Sequence, residues 1–173
     1  MRIYLIGFMG SGKSFTGKRL AGLLNIPFSD LDEGIEDLAK KTIPQIFKEE
    51  GESAFRAIEK EALHLTGHLP AAVVACGGGT PCFFDNMEWM NDHGICIYLK
   101  TAPKVLFDRL LGEKDYRPLL KELSDKELKT YIKEKVTERE VYYLKASVVY
   151  EQQSLNEDVA IQLMQQLPNI TGH

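Results

Sequence analysis

The sequence predicts an α/β protein: a three-layer α/β/α sandwich built around a five-stranded parallel sheet. Three observations carry that prediction. Short apolar runs alternate along the chain with segments of helical period, which implies right-handed crossovers between parallel strands. The run Ala71 to Cys76 is apolar without alternation, as expected of a strand covered on both faces. Three strand exits carry glycines or aspartates in place of ordinary turn residues, and open parallel sheets bind ligands beyond the carboxyl ends of their strands.

Taken in order, Arg2 to Ile6 is a buried first strand. It runs into Gly7-Phe8-Met9-Gly10-Ser11-Gly12-Lys13-Ser14, which fits G-x-x-x-x-G-K-[ST], and the helix Ser14 to Leu24 follows. Glycines let such a loop curl its N–H groups inward at phosphate oxygens, and the helix adds the positive end of its dipole. Lys13 would bridge the β- and γ-phosphates, and the Ser14 hydroxyl would serve magnesium. A glycine-rich turn with no ligand would not need both flanks.

Ile26 to Leu31 is a short second strand ending in Asp30 and Asp32. Asp32 to Lys40 reads as helix, Thr42 and Pro44 open a further short one to Glu50, and Gly51 breaks it. Glu52 to Thr66 is the next helix, with Phe55, Ile58, Ala62 and Leu65 as its apolar stripe and Gly67 as its stop. The central strand Ala71 to Cys76 ends in Gly77-Gly78-Gly79. A helix from Phe84 to Asn91, a strand from Ile95 to Leu99, and a helix opened by Thr101 and Pro103 and reaching Leu111 follow. Gly112 to Leu123 is polar, holds Pro118 and has no sustained period, so it reads as a mobile loop. Ser124-Asp125-Lys126-Glu127 is a capping box for a long helix to Leu144. Ala146 to Tyr150 is the fifth strand, and Asn156 caps a last helix ending near Leu167.

The 173 residues suit one domain, 1–173, and no repeat, low-complexity segment or composition break marks a second. A net charge of −4 with scattered cations argues against nucleic acid as a partner. No run approaches the roughly 20 apolar residues of a membrane span. Cys76, Cys82 and Cys96 are too few and too irregular for a zinc site or a disulfide framework; with no secretory leader they point to a reducing, cytoplasmic compartment. No dimerisation stripe stands outside the predicted core, so the chain is expected to be a monomer.

Asp30 and Asp32, two apart at a strand end, can face one side. One carboxylate could hold a metal's water shell while the other orients an attacking hydroxyl, although Asp32 could equally cap the helix after it. Three glycines at Gly77 to Gly79 exceed what a turn requires and suggest close approach of backbone to a ligand. Arg56 stands three residues before Glu59, a spacing at which a surface pair contributes only about 0.2–0.5 kcal/mol. Arg139 shares the helix face of Leu128 and Ile132, and an inward arginine should have a partner. Two such arginines suit an anionic substrate, since the guanidinium fork binds a carboxylate bidentately. Arg117, just before Pro118, is a candidate lid arginine for a transferring phosphate. His64 and His68 read as surface residues without a third ligand.

These motifs together resemble the shikimate kinases along nearly the whole chain. The resemblance rests on Gly7 to Ser14, Asp30-Leu31-Asp32, Phe55-Arg56 with Glu59, Gly77-Gly78-Gly79, Arg117-Pro118-Leu119-Leu120 and Glu138-Arg139-Glu140-Val141-Tyr142. It implies a P-loop kinase fold of the nucleoside-monophosphate-kinase type, with a helical substrate-binding insertion at about 32–66 and a lid at about 112–123. The implied reaction moves the γ-phosphate of ATP to the 3-hydroxyl of shikimate, in aromatic amino-acid biosynthesis. By the same resemblance Asp32 binds the reacting hydroxyl and is its candidate base. Arg56, Arg139 and Gly77 to Gly79 hold the substrate, Arg117 comes from the lid, and Ser14 with Asp30 serves magnesium. Gly10, Ser11, Gly12, Lys13, Ser14 and Phe15 surround the phosphates. Phe15 replaces the family's usual threonine, and Arg109 is the approximate match to an arginine that stacks on the base. A kinase for another small hydroxy acid such as gluconate, a nucleotide kinase, or a non-enzymatic nucleotide-dependent module are the competing readings. The Asp32/Arg56/Arg139 group argues for a small hydroxylated carboxylic acid.

Overall fold

The computed structural model describes residues 1–114, 118–152 and 158–171. Five strands, β1 (Arg2–Ile6), β2 (Phe28–Asp30), β3 (Ala72–Ala75), β4 (Ile95–Lys100) and β5 (Val148–Glu151), form one sheet in the order β2-β3-β1-β4-β5, all parallel. The helices are α1 (Lys13–Leu24), α2 (Leu31–Ala39), α3 (Ile43–Glu49), α4 (Gly51–Leu65), α5 (Asn86–His93), α6 (Pro103–Glu113), α7 (Pro118–Lys121), α8 (Asp125–Tyr143) and α9 (Val159–Thr171). No helix among the described residues is long and apolar enough to cross a membrane.

Side chains alternate faces along a strand, so each strand of β1, β3 and β4 feeds two cores. Ile3 and Leu5 point with Val73, Ile97 and Leu99 into the layer of α1 and α9, through Leu20, Ala21, Ala160 and Leu163. Tyr4 and Ile6 point with Val74 and Tyr98 into the opposite layer, against Ile35, Ile46, Phe55, Leu63, Met87 and Tyr143 from α2, α3, α4, α5 and α8. That is the predicted three-layer sandwich.

The third core overturns an expectation. The stretch 112–123 is not one mobile loop: α6 extends into it to Glu113, and α7 begins at Pro118. Leu120 is fully buried with Phe8, Leu106, Leu110, Leu128 and Ile132 in a small cluster beneath the phosphate loop. Its period is too short to register in sequence because α7 is a single turn. Two other boundaries move for local reasons. Phe84 adopts φ +52°, which a helix cannot include, so α5 starts at Asn86. Ala102 occupies the cap position of α6, while buried Thr101 turns its hydroxyl back to the Leu99 carbonyl at 3.4 Å. The capping box of α8 forms as predicted, with Ser124 N donating to Glu127 Oε2 at 2.7 Å. The expected cap Asn156 lies outside the described residues.

The register sets the site. Leu5 pairs with Ala75, and Ala75 pairs with Asp30, so three strand ends stop in one row across the sheet. The exits of β1, β3 and β2 are therefore neighbours, and the connections leaving the adjacent strands β1 and β3 run toward opposite edges of the sheet.

Candidate active site

The loop leaving β1 turns through Gly7, Gly10 and Gly12 at φ +144°, +80° and +89°. These values are open to glycine and strained for other residues. Lys13 curls over it, its Nζ donating to the carbonyls of Gly7 at 2.8 Å and Phe8 at 3.0 Å. From α6, Arg109 Nη1 donates to Gly10 O at 2.9 Å and Nη2 to Gln152 Oε1 at 3.3 Å; Gln152 Nε2 in turn donates to Ser11 O at 2.7 Å. The loop is thus braced from outside by two side chains far away in sequence.

Where β2 ends, the two aspartates take different tasks. Asp30 caps α2, its Oδ1 accepting from Asp32 N at 3.1 Å, and its Oδ2 accepts from Ser14 Oγ at 2.7 Å. The cap considered for Asp32 in sequence belongs to Asp30. Asp32, one residue into the helix, is left free to face the cleft beside Gly77. It remains open to the cleft, yet loss of solvation low in the site pushes its carboxyl up to about 6. The negative charges of Asp30, Glu59 and Glu36 add to that, and Lys13 opposes it.

The exit of β3 collects the remaining residues. Three consecutive glycines face charged side chains, and at Gly77 the Glu59 carboxylate, 3.2 Å from where a Cβ would stand, is nearer than Asp32. A Cβ on Gly77 would lie 3.5 Å from Asp32 Oδ1, one on Gly78 3.3 Å from Arg139 Nη1, and one on Gly79 2.8 Å from both Arg56 terminal nitrogens. Asp32, Arg56 and Arg139 therefore converge on one turn, beside the phosphate loop. Tyr143, buried on α8, donates to Gly78 O at 2.5 Å and ties that helix to the turn.

The Arg56–Glu59 pair exists, at 2.8 Å, but it is no surface pair: Glu59 is 1% exposed and the Arg56 side chain 11%. Glu59 uses both oxygens, Oε1 toward Arg56 and Oε2 accepting from Thr80 Oγ1 at 2.6 Å. Arg56 is held flat as well, 3.9 Å over the ring of Phe83 and 4.9 Å from that of Phe55. Sequence reasoning missed the burial of Glu59, although it paired that residue with Arg56, and it missed Thr80, Phe83 and Tyr143 altogether. A signal existed for one of them, since Phe55, Glu59 and Ala62 fall at i, i+4 and i+7 and all are buried. The expected stripe residue Leu65 is instead 50% exposed. Arg139, on α8, is half-buried 5.6 Å from the Phe8 ring centroid. His64 is not a plain surface residue, being half-buried and stacked on Trp89 at 4.6 Å. Arg117 lies outside the described residues.

A cleft of about 720 Å³ runs from the β2 and β3 exits along the phosphate loop, and its wall includes Asp32, Gly77 and Gly78 but not Gly79, Arg56 or Arg139. One end holds Asp30, Asp32, Gly77 and Gly78; the phosphate loop forms its middle; the other end is bounded by Phe15, Arg19, Arg109, Gln152 and Asp158 to Ala160. Among the described residues no three His, Cys, Asp or Glu side chains cluster as a metal site. Ser14 Oγ and Asp30 Oδ2 are hard oxygen donors side by side, which fits a magnesium ion that takes most of its other ligands from phosphate and water.

A family model described as "Shikimate kinase" matches residues 9–168. A relative from Bacteroides fragilis named shikimate kinase is 42% identical over 174 residues, covering 98% of this chain and 97% of its own. The crystal structure of shikimate kinase from Bacteroides thetaiotaomicron superposes with a TM-score of 0.89 at 38% identity, covering 100% of this chain and 99% of that one. The shikimate kinase from Acinetobacter baumannii in complex with shikimate gives 0.86 at 34% identity, covering 97% and 93%.

Proposed function

The chain belongs to the shikimate kinase family, and from that premise we propose that it transfers the γ-phosphate of ATP to the 3-hydroxyl of shikimate, the kinase step of aromatic amino-acid biosynthesis. The observation that carries the reading is the triple-glycine turn. Two guanidinium groups and two carboxylates meet on three successive Cα atoms beside a phosphate loop; Glu59 is taken up by Arg56 and Thr80, which leaves Asp32 as the carboxylate that faces the cleft. Two arginines suit a carboxylate and neighbouring hydroxyls, and one carboxylate suits a single reacting hydroxyl.

In this reading the phosphate loop, Gly10 to Phe15, holds the triphosphate through its N–H groups. Lys13 leaves its loop carbonyls for the β- and γ-oxygens, balancing the charge that moves to the β-phosphate. Ser14 and Asp30 would hold magnesium, which when bound supplies further positive charge across the β- and γ-phosphates. Arg56 and Arg139 anchor the acceptor's carboxylate and ring hydroxyls, with Gly77 to Gly79 allowing close approach. Asp32 orients the acceptor hydroxyl and takes its proton. With a pKa of about 6, roughly nine tenths of it is ionised at pH 7, so it can accept a proton and still be a stronger base than an ordinary aspartate. Residues 32–66 serve as the acceptor-binding insertion and 112–123 as the lid, from which Arg117 reaches the transferring phosphate. Arg109 lies at the base end of the nucleotide. The protein is proposed to act as a cytoplasmic monomer, consistent with three free thiols.

The test is ADP release, coupled to an optical readout, with shikimate, gluconate and nucleoside monophosphates offered separately. A rate with shikimate well above the others is expected. Equal background rates with all acceptors would end the assignment.

A further inference from the structure

The geometry points to the ring of Phe15 as a nucleoside-binding surface that sets how much affinity the base and ribose add to the phosphates. This rests on the kinase reading above only for the direction in which the nucleotide lies. If the γ-phosphate faces Asp32, the nucleoside must lie away from it in the same cleft, whose remaining wall includes Phe15, Arg19 and Val159 as well as the hydrogen-bonded pair Arg109 and Gln152.

Phe15 is the second residue after Lys13 in the first turn of α1, so its backbone N–H belongs to the phosphate end while its side chain projects outward. It is 78% exposed, the most exposed large apolar side chain among the described residues, yet it lines the cleft. Arg19 is one turn further along the same face of α1 and forms an ion pair with Asp158, the residue preceding α9. The ring therefore stands at the edge of a preformed wall, joined to polar groups that are already paired with one another. The Asp158 carboxylate also accepts from Ile161 N at 3.3 Å, so this wall is fixed at both ends. An aromatic ring left bare inside a cleft gains from any flat apolar surface laid on it, and a nucleobase or the hydrophobic side of a ribose is such a surface. Stacking of this kind is tolerant of base identity, so Phe15 adds affinity for nucleosides as a class.

The test is calorimetric binding of ADP and of inorganic pyrophosphate, in the presence of magnesium, to the parent protein and to Phe15→Ala and Phe15→Tyr. Phe15→Ala should weaken ADP about tenfold, ~1.4 kcal/mol, and leave pyrophosphate within twofold. Phe15→Tyr should bind ADP as the parent does. ADP affinity unchanged in Phe15→Ala, or an equal loss for pyrophosphate, would overturn the inference; the second outcome would place Phe15 in loop structure instead. Because no acceptor is present, a failure of shikimate as substrate would leave this result standing, and the two ideas fail separately.

Discussion

Replacing Gly79 by alanine isolates the packing of the triple-glycine turn against Arg56. Gly79 has φ −93° and ψ −16°, a conformation alanine accepts, so backbone strain plays no part. The added Cβ would stand 2.8 Å from both terminal nitrogens of Arg56 and 3.1 Å from Cζ. Ordinary contact begins near 3.5 Å, so the guanidinium must retreat by roughly 0.6 Å. An exposed arginine would do so at little cost. Arg56 is boxed between Phe83 at 3.9 Å and Glu59 at 2.8 Å, and a retreat of that size stretches the ion pair to the edge of hydrogen-bond range. A charged hydrogen bond contributes about 1.5–3 kcal/mol, while the stiffer unfolded chain of the alanine variant returns about 0.4–1. The net is a loss of ~1–2 kcal/mol, or a Tm about 2–8 °C lower for a chain of this size. Displacing a substrate anchor by a sizeable fraction of an ångström costs up to ~100-fold, so kcat/KM for shikimate should fall about 10- to 100-fold. Steady-state kinetics and thermal melts of Gly79→Ala and Gly22→Ala measure both. Gly22 lies in α1 with nothing within 4 Å of a Cβ, and its variant should gain about 1 kcal/mol with unchanged kinetics. If Gly79→Ala also melts higher and keeps kcat/KM within twofold, Arg56 is not pinned and the reasoning is wrong.

Two further predictions concern the charges around that turn. Arg56→Ala should raise KM for shikimate and also lower Tm, because it leaves the Glu59 carboxylate buried beside Thr80 without its cation; breaking a buried pair costs about 3–5 kcal/mol. Adding Glu59→Gln should restore most of the Tm and none of the KM; recovery of KM would make Arg56 structural only. For Asp32, kcat/KM should fall tenfold per pH unit below about pH 6, and Asp32→Asn should lower kcat by about 10²–10⁴ with ATP affinity little changed. The folded-state value lies above the ordinary one, so the carboxyl favours folding fully below about pH 4 and this contribution is lost as pH rises through about 6. Asp32→Asn should therefore melt above the parent at pH 8, with the difference shrinking toward pH 4; an unchanged difference across that range would show that Asp32 is not perturbed.

Much of the architecture was legible because its causes are local. Strand β3 announces itself by an unbroken apolar run, and α8 by a Ser124–Glu127 box whose two hydrogen bonds span three residues. The phosphate loop is legible because its glycines, lysine and serine act through backbone geometry encoded within eight residues. The sequence therefore determined the layers, the three exits and the identity of the charged residues at them.

Their environments were decided by contacts made across the chain. Only the register that places Asp30 beside Ala75 and Ser14 shows that Asp30 takes both the helix cap and the serine, freeing Asp32. Glu59 looks like half of an ordinary surface pair until Thr80, 21 residues later, closes over its second oxygen. The helix α7 and its buried Leu120 exist because α6 and α8 supply an apolar floor, which no period within a single turn can advertise. Burial, and with it the strength of every charge in the site, depends on what folds back from elsewhere: chemistry at these strand exits was written in the sequence, but its dielectric surroundings exist only in the tertiary structure.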